Sequence, residues 1–309
     1  MIKSTHICLF ILVILSPIVI LLPSENKGQT LPTTKEEIKA IPGGINTQEI
    51  AEKLANNYLS KTPISENLSP LEIKEAQQIQ DKFIEKISLK YGKIIGYKAA
   101  LTNSKVQKRF NINEPIRGTL LEKMLLPSGA IVNHKFGSIP MVEGDLIVRV
   151  KSDQINTAKT PEEILNNLDA IVPFLELPDL VYQPQLKLSV KELIAINAGA
   201  RLGIMGKPIK LQSSKQWLKR INNIKVIMLD KDNKQIAKGN SEELLGNPLN
   251  VVLWMKNSLK SEGKTLKKGD LLSLGSITPM IPVTKGQKIR LQYVGLESKP
   301  VEIKVSFSE

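Results

Sequence analysis

In PMVEGDLIVRV, residues 140 to 150, two carboxylates stand two apart in a run that otherwise reads as a β-strand, a setting in which acidic residues are depleted. Side chains alternate along a strand, so Glu143, Asp145, Ile147 and Arg149 share one face, and Val142, Gly144, Leu146, Val148 and Val150 share the other. The second face is core. The first is either a wetted surface or a site. A third acid, Glu176, interrupts AIVPFLELPD, a run apolar enough to be buried, and an acid buried there needs a partner or a cation. Provided the two strands meet, three carboxylates offer hard oxygen ligands for Mg²⁺ or Mn²⁺, with the remaining octahedral positions left to water and substrate.

Two further stretches carry candidate groups. Lys98 stands in the apolar run IIGYKAAL, where an ammonium either snorkels to the surface or faces an anion. GSITPM, residues 275 to 280, offers Ser276 and Thr278 with exposed backbone N–H groups after a strand, a turn suited to binding oxygens.

Composition removes other chemistries. The chain has 309 residues, 41% hydrophobic and 24% charged, enough for one large domain or two modest ones. Its start, MIKSTHICLFILVILSPIVILLP, has a Lys followed by an apolar run from Ile7 to Leu22, the pattern of a secretory signal peptide, with an uncleaved N-terminal anchor as the alternative. The sole cysteine, Cys8, lies in that run, so the exported chain would have no thiol for a disulfide, a nucleophile or a zinc site. Of two histidines, His6 is in the same segment. A Ser-His-Asp triad must therefore use His134, and no Gly-x-Ser-x-Gly elbow accompanies it. The formal charge of +13 comes from scattered lysines, and aromatics are 4%, which argues against a nucleic-acid platform.

The elements that must position these groups follow from periodicity. Residues 1–30 form the signal or anchor with a polar joint. Residues 31–92 form a helical part, with one helix from Asn46 and a second opening on a Ser69 cap with Pro70 at its first position. Residues 93–309 form a β-rich catalytic domain of short runs separated by Gly, Pro and Asn. Helices TPEEILNNLDA, VKELIAINAGA and NPLNVVLWMKNSLKSEG interrupt it. The fold class is α+β, with mixed sheets closed on themselves.

The stretches IIGYKAALTNSKVQKRFNINEPIRGTLLEKM, PMVEGDLIVRV, AIVPFLEL, INAGARLGIMG and LGNPLNVVLWMKNSLKSEGKTLKKGDLLSLGSITPMIPV occur in a characteristic order and spacing. In these, from about Ile50 to the C-terminus, the chain resembles the 2-hydroxypenta-2,4-dienoate hydratase and 4-oxalocrotonate decarboxylase branch of the fumarylacetoacetate hydrolase superfamily. The resemblance implies a mixed β-sheet roll, an oligomer, a divalent cation (Mg²⁺ or Mn²⁺) and a 2-oxo or 2-hydroxydienoate acid as substrate. By position it makes Glu143, Asp145 and Glu176 the metal ligands and Lys98 the active-site lysine; Ser276 and Thr278, read from their turn, are expected at the substrate oxygens. Asn197 and Arg117 are the substrate-binding candidates, Arg117 for a second carboxylate unless it is a surface residue.

Three departures stand out. Ile116 and Ile196 occupy positions where the family carries acids, and Asp145 is a methylene shorter than the usual Glu. The expectation is an exported metal-dependent lyase acting on a small oxo-acid through a metal-stabilised enolate, with membrane contact only through the N-terminal segment. The alternatives are a catalytically silent envelope binding protein of the same fold, and an acylpyruvate hydrolase or oxaloacetate decarboxylase that would enlist His134.

Overall fold

Two amphipathic helices begin the described part of the chain. This is a computed structural model that describes residues 45–68 and 70–308; the expected signal or anchor and the Ser69 cap lie outside the described residues. Helix α1 (Thr47–Ser60) is capped by the Asn46 side chain, which accepts the Glu49 N–H, and it buries Ala51, Leu54, Ala55 and Tyr58, one stripe at helical spacing. Helix α2 (Ile73–Tyr91) starts three residues beyond Pro70. The Glu72 N–H donates to the Glu75 carboxylate at 2.7 Å, and the preceding Leu71 is buried in non-helical chain. Tyr58 and Phe83 lock the pair edge to face at 5.2 Å.

The rest alternates short strands with short helices. In chain order these are β1 (Ile94–Ala100), α3 (Ser104–Phe110), β2 (Ile116–Leu121), β3 (Leu125–Pro127), β4 (Ile131–Asn133), β5 (Met141–Val150), α4 (Pro161–Asn166) and β6 (Leu168–Leu177). Then follow α5 (Val190–Ala195), β7 (Leu202–Met205), β8 (Ile209–Lys210), α6 (Lys215–Ile221), β9 (Lys225–Leu229) and β10 (Gln235–Asn240). The chain closes with α7 (Pro248–Ser261), β11 (Leu271–Ser273), β12 (Ile281–Pro282), β13 (Lys288–Val294) and β14 (Val301–Ser308). The helix expected over TPEEILNNLDA stops at Asn166, because Leu168 to Ala170 continue into the apolar ladder of β6.

The main sheet runs β2-β1-β11-β5-β6-β7-β3, with β12 added to β5 and β8 to β6; the second runs β10-β9-β13-β14-β4. Both are mixed, because β1 lies parallel to β11, β3 to β7 and β14 to β4 while the other pairings are antiparallel. The α+β class with curled mixed sheets expected from the sequence is therefore what the chain adopts. The sheets meet across β5. A Cβ on Gly144 would lie 3.0 Å from Val226 of β9 and 3.4 Å from Leu291 of β13, so glycine lets them approach. Tyr293 of β13 pins this contact: its hydroxyl accepts the Phe174 N–H at 3.1 Å and reaches the carbonyls of Phe174 and Asp145 at 2.6 and 2.8 Å.

The helical part packs on the body through one apolar cluster, in which Tyr58, Phe83 and Ile87 meet Ile116, Leu121 and Ile196. Strand β2 ends the main sheet, and its outer edge is taken up by side-chain amides. Gln80 donates to the Arg117 carbonyl at 2.8 Å, and Asn197 bonds both backbone groups of Thr119.

Replacing Tyr293 with Phe strips the Phe174 N–H of its partner in a fully buried position. We expect a loss of about 1–3 kcal/mol in urea unfolding; an unchanged midpoint would show that the hydroxyl contributes nothing to the sheet contact.

Candidate functional site

Strands β5 and β6 pair antiparallel along their whole length, in a register that sets Glu143 opposite Glu176 and Asp145 opposite Phe174. All three acids therefore lie on one sheet face, and all are buried: Asp145 is 0%, Glu176 2% and Glu143 9% exposed. Around them the same face is greasy, with Phe174, Ile147, Val172 and Leu120 in one cluster. Strand β11 bridges β5 to β1, so Ser273 stands between Ile147 and Lys98 in a single row across the sheet.

Lys98 does not snorkel. Its ammonium is 2% exposed; it pairs with Glu176 Oε1 and donates to the Ala198 carbonyl at 3.0 Å. That carbonyl is delivered by a break in the sequence INAGA. The helix expected over this stretch ends at Ala195, and Asn197, Ala198 and Gly199 take left-handed φ values of 59°, 51° and 71°. For Ala198 this conformation is strained. Gly118, opposite Lys98 on β2, makes room, since a Cβ there would sit 2.6 Å from the Asn197 carbonyl oxygen and 2.9 Å from Lys98 Cγ. The Asn197 amide holds the turn to the strand: its Oδ1 accepts the Thr119 N–H at 2.7 Å and its Nδ2 donates to the Thr119 carbonyl at 2.9 Å.

The charges do not balance. Three acids against one ammonium leave a net of −2 if all are ionised, in a desolvated pocket. Burial, and then the facing Glu176, pushes Glu143 up to about 8. Burial and Glu176 likewise hold Asp145 well above the ordinary carboxylate range. For Lys98 burial alone works downward, but the Glu176 and Glu143 carboxylates outweigh it and hold the ammonium above its usual value. Glu176 Oε2 is buried without a hydrogen-bond partner. Hard oxygen donors, a deficit of two positive charges and an orphaned carboxylate oxygen together fit a divalent cation. The acids are nevertheless not gathered into a ligating set: among the described residues no group of three His, Cys, Asp or Glu side chains is arranged to hold a metal ion. Both Asp145 oxygens are instead engaged within the sheet, Oδ1 accepting the Leu146 N–H and Oδ2 the Ser273 hydroxyl.

The remaining candidates divide. The Ser276 hydroxyl lies within hydrogen-bonding reach of the Glu143 carboxylate and 2.5 Å from the Thr278 carbonyl oxygen. Thr278 belongs to the other side of β5, where its hydroxyl accepts the Gly144 N–H at 2.9 Å and its methyl abuts Gly144. Arg117 also faces away. Its register partner is Ala99, so strand alternation puts it on the face opposite Lys98. There it pairs with Glu262, stacks 5.4 Å from the Tyr97 ring and lines a cavity of about 570 Å³ with Asp81, Glu85 and Lys264. A contact from Arg117 to a second carboxylate of a ligand beside Lys98 is therefore not available. Ile116, paired with Ala100, does share the Lys98 face and is buried, as is Ile196. His134 follows β4, in the second sheet, with Nδ1 2.9 Å from the Ser308 carbonyl oxygen. Sequence reasoning missed Ser273, Ala198 and Gly118.

No family model matches the chain. Among curated proteins it is 23% identical over 236 residues to 2-hydroxyhexa-2,4-dienoate hydratase of Comamonas testosteroni, covering 76% of this chain and 87% of that one. It is likewise 23% identical over 268 residues to 4-oxalocrotonate decarboxylase of Pseudomonas putida, covering 85% and 96%. Among solved structures, 4-oxalocrotonate decarboxylase from Pseudomonas putida G7, complexed with magnesium and adipate, superposes with a TM-score of 0.75 at 22% identity, covering 84% of this chain and 97% of that one. The likeness read from the motifs is thus present along most of the chain, its curated relatives are enzymes, and the fold is that of the solved decarboxylase.

The electrostatics make two measurable statements. Glu143 and Asp145 hold protons in the folded chain that the unfolded chain has released above about 4.5. In chelator-treated protein the unfolding free energy should therefore fall as pH rises from about 4.5 toward 8; a flat or rising profile would show that the acids are not desolvated. Lys98→Met leaves those carboxylates without their cation and is expected to cost about 3–5 kcal/mol at pH 8, and less at pH 5, in the same urea experiment.

Proposed function

We propose that this chain is a divalent-cation-dependent lyase, of hydratase or decarboxylase type, acting on 2-hydroxydienoate or 2-oxoalkenoate acids. The observation that carries the reading is the buried face on which Glu143, Asp145 and Glu176 outnumber the single ammonium of Lys98. Relatives and the solved neighbour named for such acids, and for magnesium, supply the substrate class.

In this reading Glu143 and Glu176, opposed across the ladder, would hold the cation with Asp145 as the third donor. When bound, the cation would supply Lewis-acid polarisation of an oxo-acid substrate. Lys98 stays protonated, because the acids around it raise its proton affinity. It therefore acts at Nζ as a fixed positive charge and hydrogen-bond donor to an oxygen that gains negative charge, rather than as a base. Glu176 and the Ala198 carbonyl take two of its three N–H bonds and leave one for substrate. The Ser276 hydroxyl, beside Glu143, is placed to orient an oxygen ligand. Phe174, Ile147 and Val172 border the acids and keep bulk water from screening these charges. A hydratase reaction would add the H and OH of water across the conjugated alkene, and a decarboxylase reaction would break the C–C bond to the departing carbon dioxide and leave its electron pair in the conjugated system, so both would place negative charge on an oxygen that the Lys98 ammonium can meet. The apolar run Ile7 to Leu22 supports export to the periplasm or beyond, cleaved or anchored.

A second reading, a silent binding protein, is favoured by one observation: Ile116 on the Lys98 face, with Ile196 buried near it, places no titratable side chain where a proton-transfer acid would serve. One experiment separates the readings. The purified chain loaded with Mg²⁺ or Mn²⁺ is given 2-hydroxypenta-2,4-dienoate and followed by loss of its ultraviolet absorbance, with oxalate binding measured alongside. Turnover that disappears in Glu176→Gln supports the lyase. Metal-dependent oxalate binding without turnover of this or a dicarboxylic dienoate supports the binder, and neither activity nor binding overturns both.

A further inference from the structure

Ser273 carries no charge and no motif that would mark it in DLLSLGS, yet it occupies the centre of the site. It is 0% exposed, flanked in the chain by the fully buried Leu272 and Leu274. In the sheet it stands between Lys98 on β1 and Ile147 on β5. A hydroxyl in such a place costs free energy unless it is bonded. Its partner is Asp145 Oδ2, to which it donates.

Asp145 needs that partner more than its neighbours do. Its other oxygen accepts the Leu146 N–H, a local bond that holds one end of the carboxylate close to its own backbone. Among the described residues, the Ser273 hydroxyl, from a different strand, is what fixes the other end. An aspartate has two side-chain torsions and a glutamate three, so Glu143 and Glu176 can shift to meet a ligand while Asp145 cannot make up a misplaced oxygen by flexing. A donor that sets its carboxylate plane therefore acts on every ligand the three acids share.

We infer that Ser273 is the positioning residue of the site: through its bond to Asp145 it fixes the third carboxylate and sets the affinity of the acidic face for a hard divalent cation. This rests on the reading that the three acids hold a cation. Groups that orient a ligating side chain without touching the ion typically alter affinity about 10- to 100-fold when removed.

The test uses the full chain, stripped with chelator and titrated calorimetrically with Mn²⁺ at pH 8. Ser273→Ala is expected to bind Mn²⁺ at least about 10-fold more weakly than wild type. Ser273→Cys, which keeps the volume but is a poor donor, should weaken with it and guards against a folding defect peculiar to the alanine cavity. Ser273→Thr, which keeps the hydroxyl, should stay within about threefold of wild type. Thermal unfolding of the cation-free variants is the control. A purely structural role would lower their midpoints and leave the Mn²⁺ affinity of the folded protein unchanged, and that result overturns the inference while leaving the cation reading intact. Wild-type protein that binds no Mn²⁺ overturns the cation reading itself, and the role of Ser273 with it.

Discussion

The architecture turns on a charge that the interior cannot neutralise alone. Three carboxylates sit on one desolvated face of the main sheet against one ammonium, and desolvating an ion is among the largest unfavourable terms in folding. The neighbourhood is organised around reducing that term. Lys98 is drawn into the sheet instead of reaching for water, Ser273 and the Leu146 N–H serve Asp145, and burial together with the facing Glu176 raises the proton affinity of Glu143. Apolar residues of the same volume would pack there without that penalty.

The backbone makes its own concession. Helix α5 stops after six residues so that Asn197 and Ala198 can enter the left-handed region, and the turn is held there by an amide clasped to Thr119. The strain at Ala198 aims a carbonyl at Lys98. Strain of this kind persists only where surrounding contacts over-determine the conformation, and Gly118 with Asn197 does so here.

Much of this could be read in the sequence. The runs around Glu143 and Glu176 are so apolar that strand character and burial followed directly, and alternation put Glu143 and Asp145 on one face. Their pairing across β5 and β6 is long-range and had to come from the structure. Alternation also explains where the reading of single residues went astray. Arg117 is a chain neighbour of Ile116, but one step along a strand is a change of face. Gly118 and Thr119 of β2 gave no hydrophobic period to detect. Thr278 is separated from Ser276 by the single residue Ile277 in an irregular turn, where no period applies. The Asn197 amide, expected beside a ligand, is used by the sheet edge. Ser273 was invisible because one hydroxyl among leucines has no sequence signature until its partner is known.

The amides that occupy the outer side of β2 have a consequence beyond holding a turn. A bare edge strand is a template on which another extended chain can zip itself, whether a second molecule or an unfolding segment. With the Arg117 carbonyl bonded to Gln80 and both Thr119 groups bonded to Asn197, three backbone groups in the middle of this strand are withheld from an invader. The same residues that shape the pocket thereby keep the sheet from growing sideways into fibrillar stacks.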